Sequence, residues 1–387
     1  MSHNPKFDDP LFLAVDLIRC PSITPADHGA LDVLQIALEH LGFTCRRFPF
    51  STPEGGDVKN LYARLGAASP NFCYAGHTDV VPVGDEKVWQ YPPFAAEVVE
   101  GVLYGRGASD MKGAIAAYVA ALSNFLEKNK GFKGSVSLLI TGDEEGPAKN
   151  GTRKMLAALK DEGEIIDMCL VGEPTNVTKL GEMIKVGRRG SLNTTLIVHG
   201  KQGHAAYPER AHNPVPELTL VLDALNNWQL DDGNEYFPPS NLEVTYLEAG
   251  TGVFNVIPRK ATARFNIRFN DLQTSAGLIT EIKRIVIETG VKHTLEFDII
   301  GEAFFNEPRK LANIVKTAVK KQTGLTPEFG TTGGSSDARF IKDYCPVVEF
   351  GLTGETIHAI NECVTLKNLK DLAAIYEEVL REVFLGP

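Results

Sequence analysis

Three consecutive acidic residues, Asp143, Glu144 and Glu145, come shortly after the apolar run 136–140. Adjacent carboxylates repel one another, and a divalent cation removes that conflict by taking one of them as a ligand. The neighbour that stays off the metal is then available as a general base. A solvated acidic loop explains this segment equally well, so the three residues alone do not separate the two interpretations.

The same design is repeated at three further places in the chain. In each, a short apolar run ends in glycine and is followed by potential ligands: residues 72–76 before His77, residues 168–172 before Glu173, and residues 346–351 before the loop that carries His358. Short apolar runs of this kind predict strands buried on both faces. Because parallel strands present their carboxyl ends at one edge of a sheet, we expect these side chains to converge there.

Each of these residues also has an ordinary structural explanation. His77 and Asp79 form a His-x-Asp pattern in which Asp79 would hold the second ring nitrogen of a metal-bound imidazole. An isolated pair of this kind is more often a histidine in a polar turn. Asp110 stands just before a predicted helix, where an aspartate caps the helix end without any metal. Taken singly, Glu173 and His358 are a loop acid and a surface histidine.

Considered together, the two histidines and the acids at strand ends favour a metal centre. Imidazole and carboxylate ligands without cysteine suit two Zn²⁺ ions or similar divalent ions such as Co²⁺. Two metals about 3.5–4 Å apart form a hydrolytic centre. We therefore expect two divalent cations as cofactors and a hydrolytic reaction.

Two further segments carry candidate groups. His204 lies in a Gly-His-Ala-Ala-Tyr segment and is either a loop histidine or an oxyanion donor brought to the centre by domain packing. The loop that contains Gly334 and Ser335 is either a simple turn or a source of backbone N–H groups for a carboxylate. It is not a phosphate loop, because no Lys-Ser/Thr pair follows it.

The elements that position these groups are predicted to form an α/β fold, a mixed and mostly parallel sheet flanked by helices. Its clearest helix covers residues 112–126, and the pattern also predicts helices at about 27–41 and 366–384 and a short strand near 61–65. A change of pattern begins near residue 181, where alternating strands and two amphipathic helices follow the order strand–helix–strand–strand–helix–strand. That order predicts a ferredoxin-like α+β domain. We expect residues 1–180 and 302–387 to form the catalytic domain and residues 181–301 to form an inserted lid or dimerisation domain.

An open four-stranded sheet has exposed edges that need cover, so the inserted domain favours a homodimer. The 387-residue chain has a net charge of −10 and 43% hydrophobic residues, which favours an ordinary globular protein over a nucleic-acid-binding one. Neither a signal peptide nor an apolar run long enough to span a membrane is evident. Six scattered cysteines without a CxxC pair predict free thiols and a cytoplasmic location.

The motifs GHTDVVP, GRGASDMKG, TGDEEG, VGEPT and a late TIH span residues 76–358. In this combination the chain resembles the co-catalytic zinc metallopeptidase family that includes acetylornithine deacetylase, aminoacylase and glutamate carboxypeptidases. The resemblance implies that Asp110 bridges two metals, with Glu144 as general base or acid and Asp79 as the partner of His77. It assigns His77 and Glu173 to one metal and Glu145 and His358 to the other. It also implies a cis peptide bond between Asp110 and Met111.

Longer motifs resemble one branch of that family, which removes succinate from N-succinyl-LL-2,6-diaminopimelate in lysine and meso-diaminopimelate biosynthesis. They are KVGRRGSL, GKQGHAAYPERAHNPV, NVIP, FNIRFN, TTGGSSDARF and ETIHAINE. The resemblance implies that His204 reaches the active site of the other subunit, and it assigns substrate contacts to Arg188, Tyr207, Asn255, Arg268, Gly334 and Ser335. The chain departs from the usual pattern at Gly142, where alanine is common, at Ser335, where threonine is common, and in the approach to His358.

The alternative within the family is an acetylornithine deacetylase or a related N-acyl-amino-acid hydrolase or aminopeptidase. An alternative of another class is a non-catalytic binding protein with the same fold. The presence of Glu144 beside a full set of ligands argues against it, because binding alone does not need a spare base.

Overall fold

A computed structural model describes residues 7–53, 55–250 and 252–386. Over these residues the helices are α1 (Pro10–Ile18), α2 (Ala30–His40), α3 (Lys112–Lys128), α4 (Thr152–Asp161), α5 (Pro214–Asn226), α6 (Ser275–Glu288), α7 (Lys310–Thr323), α8 (Ala338–Ile341) and α9 (Leu366–Phe384).

The strands in the first half of the described chain are β1 (Thr44–Arg47), β2 (Phe50–Thr52), β3 (Gly56–Val58), β4 (Leu61–Leu65), β5 (Asn71–His77), β6 (Glu97–Val99), β7 (Val102–Tyr104), β8 (Ser135–Thr141), β9 (Met168–Val171), β10 (Met183–Lys185) and β11 (Gly187–Arg188). Those in the second half are β12 (Gly190–His199), β13 (Gly203–His204), β14 (Asn241–Ala249), β15 (Val256–Ile257), β16 (Lys260–Phe269), β17 (His293–Gly301), β18 (Phe304–Phe305), β19 (Glu328–Gly330), β20 (Val347–Glu349) and β21 (Cys363–Thr365).

Local conformation explains where the first two helices begin. The side chain of Asp9 accepts a hydrogen bond from the Leu11 N–H, and Pro10 occupies the first position of α1. The sequence pattern placed the start of the second helix at Asp27, but α2 begins at Ala30. His28 and Gly29 have φ values of 45° and 88°. These values lie in the left-handed region, so a right-handed helix cannot include the two residues.

A mixed sheet in the order β1-β4-β8-β5-β9-β20-β10-β19 forms the main layer of the first part of the chain. Its central strands β8, β5, β9 and β20 run parallel to one another. In β5 and β8 every residue is buried, which explains their continuous apolar sequences. The predicted arrangement of neighbouring parallel strands that end together is therefore confirmed.

The chain forms two compact units. The first unit runs up to Val186 and also contains Asn306–Gly330 and the chain from Ser336 onward, while the second contains Gly187–Phe305 and Thr331–Ser335. The catalytic-domain boundaries expected from sequence, 180/181 and 301/302, stay a prediction.

The second unit is built on an antiparallel sheet in the order β14-β16-β12-β17. Alternate residues of β12 and β16 form one core with α5 and α6, including Leu196, Phe265, Leu218 and Ile282. With the element order β12-α5-β14-β16-α6-β17, this is the expected ferredoxin-like arrangement, and the predicted α/β fold class is confirmed. No described helix has the length and apolar composition that a membrane crossing requires.

Candidate metal centre

One cluster of ligands forms where two parallel strands end. His77 is the last residue of β5, Glu173 follows β9 by two positions, and Asp110 lies two positions before α3. The His77 Nε2 atom lies 3.2 Å from Asp110 Oδ1 and 3.6 Å from Glu173 Oε1. All three side chains are buried, and their ligand atoms are close enough together to hold one metal ion.

A second cluster shares Asp110 with the first. The His358 Nε2 atom lies 2.9 Å from Glu145 Oε1 and 3.4 Å from Asp110 Oδ2. Each oxygen of Asp110 therefore faces a different histidine. The structure brings all five predicted ligands into two groups of three, with Asp110 common to both.

The donor atoms fit a pair of divalent cations. His77 Nε2 and Asp110 Oδ1 are buried, and neither has a hydrogen-bond partner, although they are 3.2 Å apart. Buried polar atoms without partners are costly, and a shared cation satisfies both of them at once. The ligands are imidazole nitrogens and carboxylate oxygens without a thiolate, a set that suits Zn²⁺ and similar ions.

Two different groups of Asp79 face the candidate centre. The ring nitrogen Nδ1 of His77 lies 2.9 Å from the backbone carbonyl of Asp79, whereas its distance to the Asp79 carboxylate is 3.7 Å. The carboxylate instead accepts hydrogen bonds from the backbone N–H groups of Glu144, at 3.3 Å, and Glu145, at 3.0 Å. Asp79 thus orients the imidazole with its main chain and the acidic segment with its side chain.

Asp143, the first of the three consecutive acids, has a structural role. It is fully buried, and its carboxylate accepts hydrogen bonds from the backbone N–H groups of Ala148, at 3.2 Å, and Asn150, at 2.7 Å. These bonds fold the loop that follows Glu145. Asp143 belongs to neither ligand cluster.

Burial and crowding of charge change the protonation of the site. Burial raises the pKa of Glu144 well above its usual range, and the nearby carboxylates add to this rise while His77 opposes it. Burial also raises the pKa of Asp79 to about 6. Hydrogen bonds to Asp110 and Glu145 raise the pKa of His358 to about 10. A high pKa suits a group that holds a proton and gives it up during a reaction, which is the role predicted for Glu144.

Sequence reasoning missed Glu362 and Arg106, which contact the main chain at the candidate ligands Asp110 and His358. Both are buried and form an ion pair with 2.8 Å between Arg106 Nη1 and Glu362 Oε2. Glu362 also accepts a hydrogen bond from the backbone N–H of Asp110, at 3.0 Å. Glu362 ends the ETIHAINE motif, but nothing in the local pattern of that segment indicates burial.

Three predicted residues of the second unit lie on one short antiparallel strand pair or beside it. Strand β13 pairs with β15, and the backbone N–H of Ala205 donates to the carbonyl of Asn255 at 2.9 Å. His204 lies in β13, and the carbonyl of His204 accepts a hydrogen bond from the Tyr207 N–H at 2.9 Å. The structure thus groups His204, Tyr207 and Asn255 in the second unit, where His204 and Tyr207 are exposed.

The predicted carboxylate-binding arginines also lie in the second unit. The guanidinium of Arg188 donates to the carbonyl of Gly334 at 3.2 Å, so Arg188 contacts the loop that contains Gly334 and Ser335. Arg268 lies on β16, and Arg189 is an additional arginine near it that the sequence reasoning did not single out. Burial, and to a smaller extent the charge of Arg268, lowers the pKa of Arg189.

Comparison with known proteins gives consistent results over most of the chain. Residues 73–382 match the model of "Peptidase family M20/M25/M40". A succinyl-diaminopimelate desuccinylase of Rhodospirillum centenum is 56% identical over 378 residues, which cover 98% of this chain and 98% of that protein. Another of the same name, from Parvibaculum lavamentivorans, is 53% identical over 98% of this chain and 96% of its own length.

Solved structures share the fold at much lower identity. An M20 family metallo-carboxypeptidase from Sulfolobus solfataricus is similar with a TM-score of 0.79 and 18% identity, covering 96% of this chain and 98% of that chain. A dinuclear metal-binding M20 peptidase from Bacillus subtilis has a TM-score of 0.69 and 17% identity, with 98% and 99% covered. These two structures support the fold described above.

Proposed function

This chain belongs to peptidase family M20/M25/M40, and on that premise we propose that it hydrolyses N-succinyl-LL-2,6-diaminopimelate to succinate and LL-2,6-diaminopimelate. The observation that carries the proposal is the pair of ligand clusters that share Asp110, with Glu144 in the same chain segment as the ligand Glu145. A relative with the desuccinylase name is 56% identical over nearly the whole chain, which supports this substrate.

Two zinc ions are the proposed cofactors, and Co²⁺ also fits the ligands. His77, Asp110 and Glu173 would hold one ion, and Asp110, Glu145 and His358 would hold the other. When bound, such ions polarise an amide carbonyl and lower the pKa of a nearby water molecule.

Glu144 is the proposed proton carrier of the reaction. Its carboxylate takes a proton from the attacking water as the new C–O bond forms at the succinyl carbonyl. It then gives the proton to the departing nitrogen as the C–N bond breaks, so succinate and a free amine leave. A carboxyl group whose pKa is raised above its usual range suits this role, because a proton carrier must be able both to accept the proton and to return it.

The substrate carries several carboxylates, and arginines are proposed to bind them. Arg188 and Arg268 are the proposed guanidinium forks, because a planar guanidinium matches a carboxylate with two hydrogen bonds. The loop that contains Gly334 and Ser335 is the proposed backbone contact, since Arg188 already donates to the Gly334 carbonyl. Tyr207 and Asn255 complete the proposed set.

We also propose a homodimer formed through the inserted lid domain, residues 181–301, with the reaction in the cytoplasm. His204 would act as an oxyanion donor in the active site of the partner subunit. The exposure of His204 and of hydrophobic residues in the same unit, such as Phe254 and Leu247, supports an interface there. The six free cysteines are compatible with a reducing compartment.

Hydrolysis of two amides side by side tests the proposal. The zinc-loaded protein is offered N-succinyl-LL-2,6-diaminopimelate and N-acetylornithine, each with and without a chelator. We expect release of succinate that the chelator abolishes, and little release of acetate. Faster release of acetate would contradict the substrate and favour an acetylornithine deacetylase, whereas turnover that resists the chelator would contradict the metal centre.

A further inference from the structure

A buried ion pair connects the two loops that carry ligands of the second cluster. Arg106 is 2% exposed and Glu362 is fully buried, so this pair is shielded from water on both sides. Their closest atoms, Arg106 Nη1 and Glu362 Oε2, are 2.8 Å apart. We propose that Arg106 and Glu362 are positioning residues that set the affinity for the metal held by Asp110, Glu145 and His358. This inference rests on the proposed metal-dependent function.

Glu362 organises the loop that leads to Asp110. Its Oε1 atom accepts three backbone N–H groups, from Gly107 at 3.1 Å, Ser109 at 2.9 Å and Asp110 at 3.0 Å. Three amides pointing at one carboxylate oxygen form a concave anion-binding turn, which is a strong and directional interaction. The main chain at Asp110 is therefore held by a charged group that touches no metal.

Arg106 performs the same task for the loop that carries His358. Its guanidinium donates to the backbone carbonyls of His358, at 3.4 Å, and Ala359, at 3.2 Å. His358 has a φ of 58°, and Asn361 has a φ of 61°. Non-glycine residues in this left-handed region persist only where the surroundings hold them. The bonds from Arg106 supply part of that support.

The two clusters differ in how much they depend on this pair. His77 and Glu173 leave the ends of β5 and β9, where the sheet itself fixes the main chain. His358 lies in a loop, and its contact with Asp110 joins the two segments that the ion pair holds. Because Asp110 serves both clusters, some loss at the first cluster is expected, but the larger loss belongs to the second.

A Glu362→Gln substitution tests this assignment by calorimetric titration of the metal-stripped full chain with Zn²⁺. Glutamine has the same shape, but it lacks the charge that balances Arg106 and holds the three amides. We expect the first equivalent to bind nearly as in the unsubstituted chain, while the second binds about 10- to 100-fold more weakly, the usual loss for such partners. Two equivalents with unchanged affinities would overturn the proposal.

Asp167→Asn is the matched control in the first unit. The Asp167 carboxylate also accepts a backbone N–H, that of Asn71 at 2.6 Å, but it lies at the amino-terminal ends of β5 and β9, opposite the ligands. Both equivalents should keep their affinities in this variant. If Glu362→Gln and Asp167→Asn weakened binding of the second equivalent equally, the cause would be a general destabilisation of the fold. That result would overturn the positioning role.

The double variant Arg106→Gln/Glu362→Gln covers the case in which an unpaired Arg106 charge prevents folding. It removes both charges, and circular dichroism establishes that it is folded before the titration. Weak binding of its second equivalent supports the proposal, and affinities equal to those of the unsubstituted chain overturn it. If the unsubstituted chain itself failed to bind two equivalents of Zn²⁺, the proposed function would be overturned as well. If only the positioning role were wrong, the unsubstituted chain and the variants would bind two equivalents with equal affinities.

Discussion

In the candidate centre, imidazole and carboxylate side chains of opposite charge lie close together. The His358 imidazole faces two carboxylates, at 2.9 Å and 3.4 Å, and the shared carboxylate of Asp110 also faces His77. Burial would raise the pKa of Asp110, but the two imidazoles that face its carboxylate lower that pKa well below its usual range. Protons and metal ions therefore compete for the same nitrogen atoms, which makes the site sensitive to pH.

The pKa of His358 predicts how stability depends on pH in chelated protein. Its ordinary value of 6.5 is raised to about 10 by Asp110 and Glu145, so the folded state holds this proton more tightly than the unfolded state. The resulting stabilisation is complete below pH 6.5 and is lost as pH rises towards 10. We expect the midpoint difference between the unsubstituted chain and a His358→Asn variant, measured by thermal unfolding in chelator, to shrink over that range.

The variant His40→Asn serves as the control for this pH series, because His40 ends α2 and belongs to neither ligand cluster. Its midpoint difference should not follow the His358 curve. A His358→Asn difference that stays constant between pH 6 and pH 10 would contradict the ion pairs described at that residue.

The convergence of the candidate ligands could be predicted from sequence, because their residue types and their positions at strand ends both indicate it. Each follows a recognisable strand or precedes a recognisable helix, and the motifs repeat the pattern. Glu362 and Arg106 could not be predicted in this way, since a buried carboxylate that accepts backbone N–H groups leaves no periodic pattern in its own segment. Spacing alone does not show which group of Asp79 lies nearer to His77, and in the structure the backbone carbonyl is nearer than the carboxylate.

At the scale of elements, the parallel strands determine where the ligands lie. Strand β9 pairs with β5 on one side and β20 on the other, so the chain after β20 passes very close to the chain after β9. A Cβ atom placed on Gly351 would lie 2.2 Å from the Gly172 carbonyl oxygen and 2.5 Å from that of Glu173. Close approach of two backbones thus requires glycine beside the candidate ligand Glu173.

A Gly351→Ala substitution should therefore displace the main chain at Glu173. We expect a loss of about 1–3 kcal/mol in the free energy of unfolding, as for other overpacked positions, together with weaker binding of zinc. Urea unfolding and zinc titration measure the two effects.

Gly354→Ala is the matched control in the same loop. A Cβ atom there would meet its nearest neighbour at 3.6 Å, an ordinary contact, so stability and zinc affinity should stay close to their original values. Equal behaviour of the two variants would argue against a steric requirement at Gly351.

Most of the elements were predictable because their patterns are long and regular. Strand β4 and helix α9 have the predicted bounds, and α3 extends two residues beyond the predicted end. The error at the start of α2 has a local cause, since the left-handed residues His28 and Gly29 interrupt a segment whose composition still favours helix. Backbone conformations of single residues are not visible in a hydrophobic pattern.

At the scale of the whole molecule, the proposed dimer makes a specific prediction about complementation. If His204 acts in the partner's active site, a His204→Ala chain and an Asp110→Asn chain are each inactive but complete one another. After subunit exchange, half of the dimers are mixed and each carries one complete site. We expect about one quarter of the parental rate of succinate release, provided that all sites act independently.

Subunit exchange must be demonstrated separately, for example by mass spectrometry of differently labelled chains. Mixed dimers without any recovered activity would contradict the action of His204 across the interface. The equivalent mixture of Glu144→Gln and Asp110→Asn chains is the control, because both substitutions damage the same unit and should not complement.

The most direct test of the central claim is the effect of Glu144→Gln on turnover and metal content measured in the same sample. Glu144 lies beside a ligand and in neither ligand cluster, so its role as proton carrier can be separated from metal binding. We predict that the variant keeps two equivalents of zinc while succinate release falls about 100- to 10,000-fold, the usual contribution of a general base. Turnover near the parental rate would contradict the account, as would loss of zinc in proportion to the loss of activity.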